Sequence, residues 1–235
     1  MDEIRGKAIV FDVWSDYAHF RNIETTTSPL TYSIPTGTAL AGMVSAIIGL
    51  SRDSYYEKFS PENARFAIRI LSKLRKARIN LTLIDTSRGF RLGDIGDNPR
   101  TLIPFEFMKD TKYRIYLWTK DENLRKTLKT FLEQHKSYYT PCLGLASLIA
   151  EFSYVGEFDV QKSSGGPIHS VARRDRGRLI VEKGKRYGLE NIPVWMNKER
   201  VVQDYAEVVY EVNGETMTFL DAVSYEVGSE NVIFL

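Results

Sequence analysis

The sequence has 235 residues, 43% hydrophobic and 26% charged, enough apolar material for a sizeable core and too little charge for a disordered chain. A net charge of +2 does not announce a nucleic-acid partner, and a single cysteine, Cys142, excludes an internal disulfide and a cysteine metal cluster. The longest apolar run, residues 39–50, is too short for a bilayer, which takes about 20 residues, and the opening MDEIRGKAIV is unlike a signal peptide; the expectation is a cytoplasmic protein with no membrane partner.

In chain order, Lys7 to Trp14 reads as a buried strand, with Ile9, Phe11 and Val13 on one face. A polar loop runs to Pro35. A helix follows over TGTALAGMVSAIIGL, capped by Thr36 or Thr38, close-packed at Gly42 and ended at Gly49. It is apolar nearly all round and so needs cover on several sides. Phe66 to Leu71 reads as a short strand or a helix end. Ala77 to Thr86 alternates, with Ala77, Ile79, Leu81 and Leu83 on one face. Residues 87–110 hold three glycines and two prolines and read as a long hairpin or loop. Tyr113 to Thr119 is a strand, Thr119 and Glu122 fit a capping box, and Leu124, Leu128, Phe131 and Leu132 form a helical stripe ending near Lys136. A strand over Leu148 to Phe158 completes the order. Asn213-Gly214 predicts a tight hairpin further on.

Strand, helix, strand, long connection, strand, helix, strand is the order of a split β-α-β unit. The predicted fold class is α+β: a ferredoxin-like or RRM-like domain over 1–158 with an extended hairpin at about 87–110, then a smaller, mostly β region over 159–235.

Charge is unevenly placed. Residues 199–235 carry eight acids against Arg200, a net of −7, which leaves +9 on the first 198 residues. Residues 162–186 alone carry +6 and read as a basic loop. Such a cluster suits a phosphodiester backbone and equally suits a solvated loop. The acidic region reads as a solvated sheet face or as a docking surface for a basic partner.

There is no P-loop, dinucleotide fingerprint, zinc-protease motif or serine-hydrolase elbow, and His19, His135 and His169 lie far apart. RNA binding needs cations for phosphates and flat faces for bases. Arg88, Arg91 and Arg100 supply charge on the projecting connection, and Phe90 a stacking face. Arg173, Arg174, Arg176 and Arg178 sit among glycines, with His169 close by in sequence. Tyr116 and Trp118 share a strand face and read as sheet core under a helix; Phe105 and Phe107 read as packing at the hairpin base.

Phe20-Arg21, then Ser28-Pro29-Leu30-Thr31-Tyr32-Ser33-Ile34-Pro35-Thr36, then Ala39 to Gly42 and Ile48-Gly49-Leu50, resemble the N-terminal signature of CRISPR-associated protein family five. Tyr139-Thr140-Pro141 with Leu143-Gly144 is similar to the family's second recurring stretch. The overall look is most like the type I-B branch. The resemblance implies an RRM-like domain with a thumb hairpin and a subunit that caps one end of the Cascade filament. It implies grip on the 5′ handle of crRNA, contact with the backbone subunit and the large subunit, and a place near the PAM-proximal end of target DNA. No cofactor is implied. One branch of the family cuts repeat RNA with a tyrosine and a downstream Lys-His pair. Tyr32 falls where that tyrosine would, but the sequence has no Lys-His dipeptide, only His135-Lys136. The expectation is therefore no catalysis, with Arg21 as an RNA contact and Tyr32 in a structural or RNA-contacting role; a metal-independent endoribonuclease is the alternative.

Overall fold

The computed structural model describes residues 4–84, 100–163 and 165–235. Its first strand, β1 (Gly6–Ala18), is followed by a two-residue pair, β2 (Phe20–Arg21) and β3 (Thr31–Tyr32). Helix α1 (Gly37–Ile48) starts where the Thr36 hydroxyl accepts from the amide of Ala39. It stops at Gly49, whose φ of 78° is left-handed; a Cβ there would stand 2.6 Å from the Tyr138 ring, so glycine answers both the turn and the packing. Then come β4 (Ala64–Ile70), β5 (Lys76–Ile84), β6 (Arg100–Thr119), α2 (Glu122–Glu133) and β7 (Glu151–Lys162). The last third adds β8 (Ala172–Arg173), β9 (Arg178–Ile180), β10 (Tyr187–Met196), β11 (Val202–Glu211), β12 (Thr218–Leu220), β13 (Tyr225–Val227) and β14 (Glu230–Val232).

The main sheet runs β14-β13-β7-β1-β6-β4, antiparallel throughout, with β5 also paired to β6. β6 is long enough to serve two partners: Tyr113 to Thr119 pair with β4, and Arg100 to Met108 pair with β5. Both helices cover one face. Ile9, Phe11 and Val13 meet Phe66, Ile68, Tyr113, Ile115 and Leu117 there, under Leu40, Val44 and Ile47 of α1 and Leu124, Leu128 and Leu132 of α2. The remaining side of α1 is closed by β10, where a Cβ on Gly37 would stand 2.3 Å from the Val194 carbonyl oxygen.

The opposite face carries Ala8, Val10, Ala67, Tyr116 and Trp118, packed with Val227, Val232 and Phe234. The β13–β14 hairpin is bonded to β7 at one edge, while the Leu235 amide donates to Phe66 O on β4 at 2.8 Å. The C-terminal chain therefore spans the second face from edge to edge. Tyr116 and Trp118 are core, as expected, but their cover is this hairpin and not a helix.

Several local expectations shift. The cap of α2 is Asp121, which accepts from the amides of Asn123 and Leu124, while Thr119 accepts from the Asp121 amide. Residues 100–110 belong to β6 and are not loop. Leu148 lies in a turn, its amide donating to Leu145 O, so the following strand begins at Glu151. Asn213-Gly214 makes a turn without a hairpin. The Glu211 carboxylate accepts from the amides of Asn213 (2.7 Å) and Glu215 (3.0 Å) there, and β12 goes on to pair with β9. No helix among the described residues is long and apolar enough to cross a membrane.

Candidate nucleic-acid interface

The Tyr/Pro segment after β2 is pinned from three directions. Ser33 donates to Glu190 of β10 from its amide (2.9 Å) and its hydroxyl (2.6 Å), Tyr113 of β6 donates to Ser33 O, and Lys76 of β5 donates to Thr31 O and to Glu106. The space between these elements is a cleft of about 230 Å³ lined by Tyr32, Lys76, Glu106, Leu189 and Glu190, among others. Tyr32 is buried, and burial, with the nearby charges of Glu24 and Glu190 and the Tyr205 ring, pushes its hydroxyl above the ordinary tyrosine range. A tyrosine so placed is a poor nucleophile at neutral pH. Arg21 on β2 is exposed beside it.

His19 closes the back of this region. It is 1% exposed and sits against the Phe105 and Phe107 rings. Its Nδ1 lies 2.7 Å from the Glu106 carbonyl oxygen, which can only accept, so Nδ1 carries the proton. Burial pushes its pKa below the usual histidine value, which makes it a neutral packing group.

The β5–β6 ladder has two unlike faces. Ala77, Ile79, Phe105 and Phe107 share the half-buried face at the base, as expected for Phe105 and Phe107. Arg78, Asn80, Thr82, Leu102 and Arg100 share the exposed one. Arg88, Phe90 and Arg91 lie outside the described residues.

The basic stretch 162–186 is largely ordered against the acidic region that follows it. β8 pairs with β11, placing Arg173 opposite Val208. Arg173 then reaches Asp204 (3.3 Å) and Asp175 (3.4 Å), and Arg174 chelates Glu207 (3.0 and 3.1 Å). Arg176 stands 3.8 Å from Asp175. Opposite charges that the composition separates into two regions are thus joined within the fold. His169 holds the C-terminal strand, its Nδ1 accepting from the Asn231 amide at 3.1 Å. Arg178 is exposed on β9. Together with Arg174 it lines a second cleft, of about 490 Å³, walled by Leu179, Tyr187, Val209 and Phe219.

The sequence model of the family described as CRISPR-associated protein (Cas_Cas5) matches residues 8–209. The chain belongs to this Cas5 family. Among solved structures, this Cas5 chain is similar to a CRISPR protein from Archaeoglobus fulgidus, at 14% identity over 97% of this chain and 98% of that one, TM-score 0.57. It is also similar to a chain of a CRISPR RNA-guided surveillance complex, at 13% identity over 95% of each chain, TM-score 0.51. Likeness at that identity speaks for the fold. No curated protein matches the sequence.

In this Cas5 chain the expected contact residues fall into separate places. Tyr32 lines the first cleft, Arg21 stands on β2 opposite Thr31, Arg174 and Arg178 line the second cleft, and Arg100 stands at the start of β6. Arg173 and His169 are engaged in holding β8, β11 and the C-terminal strand. Lys76, Glu106, Glu190, Tyr187 and Phe219 line the two clefts and escape a reading of motifs, because they come from four strands far apart in the chain. Among the described residues no group of histidine, cysteine and carboxylate side chains is arranged to hold a metal.

Proposed function

We propose that this chain is a non-catalytic crRNA-binding subunit of a type I CRISPR surveillance complex, most like the type I-B branch. In this reading it holds the 5′ handle, caps the backbone filament, touches the backbone and large subunits, and lies near the PAM-proximal end of target DNA. The observation that carries the reading is the family match over residues 8–209. The order β7-β1-β6-β4, with both helices on one face, supports an RRM-like description, and the β5–β6 ladder supports a thumb. In an RRM-like domain the open sheet face is where bases stack; here that face lies under β13–β14. RNA is therefore met by the hairpin, the Tyr32 segment and the basic stretch. A non-catalytic role is supported by the buried Tyr32, with its raised pKa, and by the packing of His19.

The test is anisotropy of labelled handle-bearing RNA across a salt series. Arg78→Glu and Arg100→Glu should each weaken binding by at least ~5-fold and flatten the salt slope by about 0.7 per lost phosphate contact. Unchanged affinity and slope in both variants would remove the hairpin from the interface.

A further inference from the structure

Two ladders face each other across the second cleft. On one side Leu179 and Phe219 stand opposite each other in the β9–β12 register. On the other, Leu189 and Val209 are opposite each other in the β10–β11 register, and Tyr187 lies two residues along β10 from Leu189. The result is a slot of about 490 Å³ with apolar walls, an aromatic ring on each, and two arginines in its lining. The arginines differ. Arg174 is held by Glu207 in a pair whose side chains are 65% and 46% exposed. Arg178 is exposed and has no ion pair with any described residue. Apolar walls with a free guanidinium fit a flat ring that carries an anion.

We infer that this cleft takes one nucleotide of a bound single-stranded RNA, its base between the walls bearing Phe219 and Tyr187 and its phosphate on Arg178. The inference rests on the RNA-binding reading above and assigns a particular place within it. The occupant follows from continuity and charge. Leu189 lines both this cleft and the one beside Tyr32, so the two adjoin along β10, and an extended strand leaving one enters the other. An apolar peptide would fill the walls and leave Arg178 without a counter-charge. Because every base has a flat face, the subsite is tolerant of base identity.

The experiment uses the full chain, fluorescein-labelled handle-bearing RNA and a set of the same RNAs with one abasic position each. One abasic position should cost the native chain about tenfold in affinity. Phe219→Ala should lose the same about tenfold on intact RNA and nothing further on that abasic RNA. Leu189→Glu, at a position 54% exposed and so harmless to the core, should weaken intact RNA likewise. RNA bound by the native chain with no abasic position coupled to Phe219, and with Leu189→Glu within twofold, would overturn the subsite while leaving RNA binding standing. Variants that keep RNA affinity but lose co-purification with the protein subunits of the complex would make the cleft a peptide site, also overturning it. Failure of the native chain to bind RNA in any form would overturn both readings.

Discussion

Glu230 is 9% exposed and accepts from Arg69 (2.5 Å), Arg114 (2.9 Å) and the Tyr116 hydroxyl; Arg114 in turn donates to Asp12 at 2.8 Å. Burial works to raise the Glu230 pKa, but the Tyr116 hydrogen bond and the two guanidinium charges outweigh it and hold the group below the usual carboxylate range. A depressed folded pKa means stability that is fully present above the unfolded pKa and lost as pH falls through the folded one. Glu230→Gln should cost about 3 kcal/mol in urea unfolding at pH 7, because two cations lose a buried partner. The difference between variant and native chain should shrink as pH falls below about 4. An equal stability at pH 7 would mean that the hairpin is held by its apolar contacts alone. At this scale the sequence is partly legible. Alternation places Tyr116 and Trp118 on one face but cannot say what covers it. Asp204 and Glu207, which pair with Arg173 and Arg174, lie more than thirty residues away, so composition reads as separate basic and acidic regions what the fold joins by ion pairs.

Helices and strands are legible where period and caps agree. Gly49 ends α1 as its position suggests, and the leucine stripe forms α2. Of the hairpin expected over 87–110, residues 87–99 lie outside the described residues; residues 100–108 pair with β5, and the continuity of β6 from Arg100 to Thr119 is hidden by Pro104 and by mixed composition. Asn213-Gly214 fails as a hairpin signal because the Glu211 side chain satisfies the turn's amides and frees the following chain for β9. Gly37 marks a long-range contact that no local pattern carries, since its lack of a side chain answers to the Val194 carbonyl oxygen on β10. Gly37→Ala should destabilise by about 1–3 kcal/mol through overpacking, read as a lower urea midpoint with an unchanged m-value. A neutral result would show that α1 and β10 separate easily, and that the Tyr32 cleft, which depends on β10, tolerates that movement.

In the whole molecule, one sheet is closed on one side by two helices and on the other by the chain's own C-terminal hairpin. In the proposed RNA-binding reading, recognition is thereby moved from the sheet face to its margins: the β5–β6 ribbon, the Tyr32 cleft and the slot beside Arg178. Family membership was legible in two short runs, Phe20 to Leu50 and Tyr139 to Gly144, because both contain the special turns and helix caps that the fold requires. The margins were not legible, because they assemble from strands far apart in the chain. The most direct test of the account is to incubate the purified chain in EDTA with labelled full-length repeat RNA and with mature crRNA, and to run native and denaturing gels side by side. The account predicts a salt-sensitive shift of both RNAs, lost when the handle sequence is removed, with no new band on the denaturing gel. A discrete cleavage product from the repeat RNA, or a shift indifferent to the handle, would contradict it.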